Sequence, residues 1–201
     1  MLAFSPNQSL LAAGYDAHVL VWQTADGQLQ HRFTPRTAAP VCQTLAFSPD
    51  SRLLACGTCD RTVYVWDVAS GEWLQIFHGP EGAICSLAFA PVSPADTPSR
   101  RLLAAGCGDR QVYLWDVESG HLLHCLTGHL GWVLSVAFVG DGNILATGSH
   151  DGIVKLWDVK TGACLETLQP RGPYAGMNIT GVTGISEAQK AALRALGAVE
   201  E

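Results

Sequence analysis

The sequence predicts an all-β chain built from one repeated unit, and three observations carry that prediction. Four tryptophans, Trp22, Trp66, Trp115 and Trp157, each close a short apolar run: HVLVWQ, TVYVWDV, QVYLWDV and IVKLWDV. The intervals between them are 44, 49 and 42 residues. An aspartate stands six positions before every one: Asp16, Asp60, Asp109 and Asp151. A period of this length, filled with strand-like segments alone, predicts small antiparallel sheets repeated side by side.

Each unit reads the same way. It opens on an alternating stretch ending in Ala-Phe, as in TLAFSPD (44–50), SLAFAP (86–91) and SVAFVGDG (135–142). Ser-Pro-Asp or Gly-Asp-Gly chemistry then turns the chain. A second strand follows in LLAAGYD, LLACGTCD, LLAAGCGD or ILATGSHD, and a tight turn leads into the tryptophan strand. Asp-Gly, Ser-Gly or Thr-Gly then turns the chain into a fourth strand, such as QLQHRF or ACLETL. Four strands joined by three short turns make one antiparallel sheet. The units lie at about 1–34, 41–78, 83–127 and 132–169.

Two segments break the pattern. In the third unit APVSPADTPSRR (90–101) replaces a tight turn, and its three prolines and two arginines predict an exposed loop. Residues 170–201 form a separate segment. RGPYAGMNITGVTG is glycine-rich, and SEAQKAALRALGAVEE predicts a short helix docked on something larger. Ser186 would cap that helix, with Gln189 completing a capping box. Ala188, Ala192, Leu196 and Val199 would share one face, and Gly197 would end it.

Composition narrows the function classes. The net charge of −6 is spread along the chain, and no stretch gathers lysine or arginine. Nucleic acid and anionic membrane surfaces are therefore excluded as expected partners, because phosphate binding needs clustered positive charge. No apolar run reaches the roughly 18–20 residues that span a bilayer. Seven cysteines, an odd number without secretory cues, predict reduced thiols in a cytoplasmic protein.

No cofactor, metal or catalytic residue is expected. Cys56 and Cys59 have the spacing of a redox or metal pair, but they end a second strand instead of opening a helix. A zinc site would also require a second pair, which the sequence lacks. His121 and His124 lie three apart on a strand, so they point to opposite faces. No serine, histidine and acid are set on a nucleophile elbow.

The repeated aspartate and tryptophan over residues 1–169 resemble the WD-repeat (WD40) family of β-propellers. The resemblance implies four four-stranded antiparallel blades with a short C-terminal helix. It also implies a buried hydrogen-bonded tetrad of histidine, hydroxyl, aspartate and tryptophan. On this pattern the last unit carries all four as His129, Ser149, Asp151 and Trp157. The others carry partial sets: Thr58, Asp60 and Trp66; Asp109 and Trp115, with Cys107 where the hydroxyl belongs; and Asp16 with Trp22. The resemblance further implies a non-catalytic scaffold for a protein partner, met at the turn end of the blades, where Trp132, His150 and Tyr15 are the candidate contacts.

Propellers close with roughly four to eight blades. Four degenerate units predict an incomplete or open array with an apolar face at each end. Such a chain is part of a longer propeller, a half that self-associates, or a truncated product. The tail from Arg171 resembles the C-terminus of bacterial proteins in which WD repeats follow an NB-ARC or NACHT-type nucleotide switch. This chain contains no phosphate loop.

Overall fold

The computed structural model describes residues 1–15, 18–34, 41–91, 101–169 and 177–200. The first sheet holds β1 (Leu2–Phe4), β2 (Leu10–Tyr15), β3 (His18–Gln23) and β4 (Leu29–Phe33). The second holds β5 (Cys42–Phe47), β6 (Leu53–Thr58), β7 (Val63–Asp67) and β8 (Trp73–Phe77). The third is β9 (Ile84–Phe89), β10 (Leu102–Cys107), β11 (Val112–Asp116) and β12 (Leu122–Leu126). The fourth is β13 (Val133–Val139), β14 (Ile144–Ser149), β15 (Val154–Asp158) and β16 (Cys164–Leu168). Strands pair in chain order within every sheet. Residues 35–40 and most of the long loop of the third unit, 92–100, lie outside the described residues, as does Asp16.

Local chemistry sets the turns. In the third-to-fourth-strand connections, the Asp67 carboxylate accepts the Ala69 and Ser70 N–H groups, and Asp116 accepts Glu118 and Ser119. Asp158 accepts Thr161 in the same way. This is the work of the aspartate after Trp66, Trp115 and Trp157: it satisfies turn amides before the next strand begins. Gly71, Gly120 and Gly162 then take positive φ of 74°, 75° and 73°, a conformation that costs glycine little.

Packing follows the period of two along each strand. The second and third sheets are covered on both sides, and β6, β10 and β11 are buried at almost every position. Each junction is closed by a tryptophan reaching back to the outer strand of the preceding sheet. Phe33 stacks on Trp66 at 4.9 Å and Phe77 on Trp115 at 5.0 Å, while Leu126 shares a buried cluster with Trp157. Each stacked pair adds about 0.5–1.5 kcal/mol beyond its area burial.

Glycines on the second strands let the next sheet approach. A Cβ on Gly57 would lie 2.4 Å from the Ile84 side chain, and one on Gly106 would lie 2.8 Å from Val133. On Gly14 it would meet the Cys42 sulfur at 2.4 Å. Gly148 holds the same place in the fourth sheet, yet among the described residues the one atom within 4 Å of such a Cβ is Ser135 Cβ at 3.9 Å. Val63 is fully buried, whereas its equivalent Val154 is 39% exposed. The sheets stack first to fourth without closing into a ring.

Residues 168–201 form a second unit. Its helix, α1, spans Glu187–Ala195, with the capping box between Ser186 and Gln189. Gly197 follows at φ 103°. Val199 leaves the expected helical face, because the helix has already ended and Val199 bridges in parallel to Asn178. Ile179 and Ala198 are the buried apolar residues of this unit.

Glycine replacements test the packing. Gly57→Ala and Gly106→Ala should each destabilise the chain by about 1–3 kcal/mol in urea unfolding, through overpacking at the junctions. Gly148→Ala should stay within about 0.5 kcal/mol. Equal losses at all three sites would contradict the open fourth socket.

Candidate functional site

The turn between second and third strands brings the expected tetrad residues together in the fourth sheet, with one change of membership. Trp157 donates its indole N–H to Thr147 Oγ1 at 2.8 Å. His129 Nε2 lies 2.8 Å from the same hydroxyl, and its Nδ1 lies 3.3 Å from Asp151 Oδ2. A neutral ring satisfies both bonds: Nδ1–H donates to the carboxylate, and Nε2 accepts the threonine proton. The hydroxyl is therefore Thr147's. Ser149 instead accepts the Asp151 N–H at 3.2 Å. Register explains the difference: both hydroxyls lie on one face of β14, but Thr147 pairs with Lys155, two residues before Trp157, whereas Ser149 lies beyond the paired stretch at the turn.

The same register reassigns the partial sets. The residue matching Thr147 is Cys56 in the second sheet and Ala105 in the third. Trp66 consequently has a buried Nε1 with no acceptor among the described residues. Thr58 bonds within its own turn, donating to Asp60 and to the Thr62 carbonyl. In the third sheet Pro80 stands where the fourth has His129. Asp109 there accepts the Tyr113 hydroxyl at 3.0 Å and the Glu81 N–H at 2.8 Å. Trp22 is half-buried, on a face with no preceding sheet.

Electrostatics follow from this bonding. Burial pushes the Asp151 carboxyl up, but donors from Leu130, Ile153, His129 and Ser149 outweigh it and bring the pKa to about 2. Burial lowers His129 below its usual 6.5, against the opposing pull of Asp151.

The tetrad pins the loop that leads into β13. Leu130 N–H donates to Asp151 Oδ2 at 2.8 Å, and His150 N–H donates to the Trp132 carbonyl at 2.8 Å. Gly131 sits so close that a Cβ would lie 2.8 Å from the Asp151 nitrogen. Between this loop and the matching turn of the third sheet opens a cleft of about 440 Å³, lined by Gly108, Arg110, Leu130, Gly131, Trp132 and His150. Trp132 is 61% exposed and Leu130 77%. Trp132 and His150, expected from the sequence, thus share one site. Tyr15 does not join them: it is exposed at the end of β2, paired with His18. Arg110 carried a signal that sequence reasoning passed over, since it follows the turn aspartate at a position where the fourth sheet has Gly152.

The cysteine pair is also rearranged. Cys56 is fully buried with its sulfur 3.1 Å from that of Cys42, whereas Cys59 is exposed. Strand alternation separates the two sequence neighbours. Among the described residues no cluster of histidine, cysteine or acid could hold a metal ion.

Three changes in stability are expected. Thr147→Val should cost about 1–3 kcal/mol by stranding the His129 and Trp157 groups, and Ser149→Ala less than about 1 kcal/mol. Cys56→Thr should stabilise by about 0.5–1.5 kcal/mol by giving Trp66 an acceptor. Unfolding midpoints measured side by side decide all three. Acid should weaken the fold in two stages. His129 has a lowered folded pKa, so its unfolded form takes the proton first and stability falls as pH drops below 6.5. Asp151 contributes fully above 3.8, and its contribution is lost as pH falls through about 2. His129→Gln should flatten the upper stage in thermal melts.

Comparison with known proteins agrees with this geometry. The WD40 family, described as WD domain, G-beta repeat, matches residues 2–23, 27–67, 71–116 and 120–158. Human Pre-mRNA-processing factor 17 is 35% identical over 39% of this chain and 14% of its own length. WD repeat-containing protein VIP3 of Arabidopsis thaliana is 36% identical over 46% of this chain and 33% of its own. The chain thus spans at most a third of either relative. A chain in the crystal structure of the Mitotic Checkpoint Complex superposes with a TM-score of 0.74 at 22% identity, covering 85% of this chain and 49% of that one. With matched repeats in all four sheets and the tetrad intact in the last, this chain belongs to the WD40 repeat family.

Proposed function

We propose that this chain is a non-catalytic protein–protein interaction scaffold that meets a protein partner at the cleft between its third and fourth blades. Trp132 carries the reading. It is an aromatic side chain, 61% exposed, held on a loop that Asp151 and His150 fix in place. Exposed aromatics on a rigid frame are the usual anchors of protein interfaces. The names of the relatives, a processing factor and a WD repeat-containing protein, are in keeping with such a role. Seven free thiols support a reducing, cytoplasmic setting. A photoreactive benzoylphenylalanine placed at Leu130 should crosslink the partner in cells, and one at exposed Leu165 should not. Equal adducts from both positions would overturn the assignment of the face.

A finer reading makes the chain the sensor or autoinhibitory end of a bacterial NB-ARC or NACHT-type ATPase. It rests on the resemblance of the tail. An in-frame phosphate-loop domain upstream of Met1 in the genome would support it, and a nearby stop codon would end it.

Self-association is supported by a different observation. The open socket at Gly148 matches the sites that receive Cys42, Ile84 and Val133 at the three filled junctions. At the other end of the array Leu2 and Phe4 of the first blade are exposed. Light scattering should then give twice the 21.4 kDa chain mass, with Gly148→Val returning it to one chain. A wild-type monomer that is readily proteolysed at its open edges would favour a truncated fragment instead.

A further inference from the structure

We infer that the cleft between the third and fourth blades recognises an acidic peptide segment carrying an apolar side chain, with Arg110 holding its carboxylate and Trp132 and Leu130 its apolar group. This rests on the reading of that cleft as the partner face, and it names the partner's chemistry.

Two acids, Asp109 and Asp151, lie closest in sequence to the residues of the cleft. Asp109 is occupied by the Glu81 and Gln111 N–H groups and the Tyr113 hydroxyl. Asp151 is occupied by Leu130, Ile153 and His129. Both carboxylates are filled by donors of their own turns and of the incoming loops. Arg110 is exposed and forms no ion pair among the described residues. An unpaired guanidinium in a chain of net charge −6 is a local reversal of sign, and its planar fork suits a carboxylate.

The backbone agrees. Arg110 takes φ 74°, a conformation that favours glycine and that Gly152 adopts at φ 80° in the equivalent turn. An arginine there carries strain that glycine would relieve. The cleft volume of about 440 Å³ accommodates one or two side chains, and the pinned loops leave little to be ordered on binding.

The neighbouring junction supplies a contrast. Arg61 matches Arg110, with φ 71°. The loop entering the third blade, however, has Glu81 and Ala83 where the fourth has Leu130 and Trp132. The equivalence is fixed by the Glu81-to-Asp109 and Gly108-to-Ala83 bonds. That junction therefore offers an acid of its own and no aromatic surface. Recognition is specific to the cleft at Arg110.

The test is fluorescence anisotropy of the full chain with a fluorescein-labelled peptide, Asp-Asp-Phe-Asp-Asp. Controls are Lys-Lys-Phe-Lys-Lys, Asp-Asp-Ala-Asp-Asp and a labelled oligothymidine. The acidic phenyl peptide should bind, with affinity falling about tenfold or more in Arg110→Gln and in Trp132→Ala and unchanged in Arg61→Gln. Equal binding of the lysine peptide, or no effect of Arg110→Gln while Trp132→Ala still weakens binding, would overturn the acidic partner and leave the cleft as the contact face. Indifference to both variants would overturn the face as well. Tighter, variant-sensitive binding of oligothymidine would replace peptide by nucleic acid. Near-ultraviolet circular dichroism of the exposed-site variants checks that their fold is retained.

Discussion

Everything in the blade array depends on how closely one sheet can approach the next. Sheets with full side chains on facing strands pack about 10 Å apart, and here a glycine on each second strand opens a local site of closer contact. Ile84 and Val133 enter the sites at Gly57 and Gly106. The same approach lets Trp66 and Trp115 reach Phe33 and Phe77 across the junctions. Glycine and tryptophan are thus two halves of one packing solution, one giving space and the other filling it.

The tetrad is secondary to that packing and has a different purpose. Its chain of hydrogen bonds runs from Trp157 through Thr147 and His129 to Asp151, joining the buried core to the surface loop. In the third blade Tyr113 and Glu81 deliver equivalent donors to Asp109 without a histidine. The constraint that persists is therefore a carboxylate whose lone pairs are filled by the turn and the incoming loop. The identity of the donors varies. A turn held this way fixes the loop beside it, so that the exposed Trp132 stands on a frame already ordered.

The open ends follow from the same logic. A blade that is covered on both faces, such as the second, buries nearly every residue of its inner strands. The outermost strand β16 is exposed throughout. The contrast between Val63 and Val154 shows one side chain type at one register position in both settings. Nothing in their local sequences differs enough to cause it; the neighbouring sheet does.

By itself the sequence determined the strands, their turns, the sheet repeat and the capped helix, because period-two patterning, turn residues and caps act within a few positions of the chain. Fixed offsets from repeated residues also pointed to His129, Asp151 and Trp157, which the structure joins through Thr147, and to Trp132 and His150, which it places on one cleft. The same offsets misplaced the hydroxyl at Ser149, since Thr147 and Ser149 lie two apart on the same face of β14, and only the pairing with β15 sets which of them stands level with the indole. Only the tertiary structure decided that Thr147 receives the tryptophan, that Cys56 lies against Cys42 and leaves Cys59 apart, that Tyr15 stands away from the cleft, and that Arg110 lines it. Each of these is a relation between segments distant in sequence. Such relations are set by how the sheets pack, and no single strand encodes that.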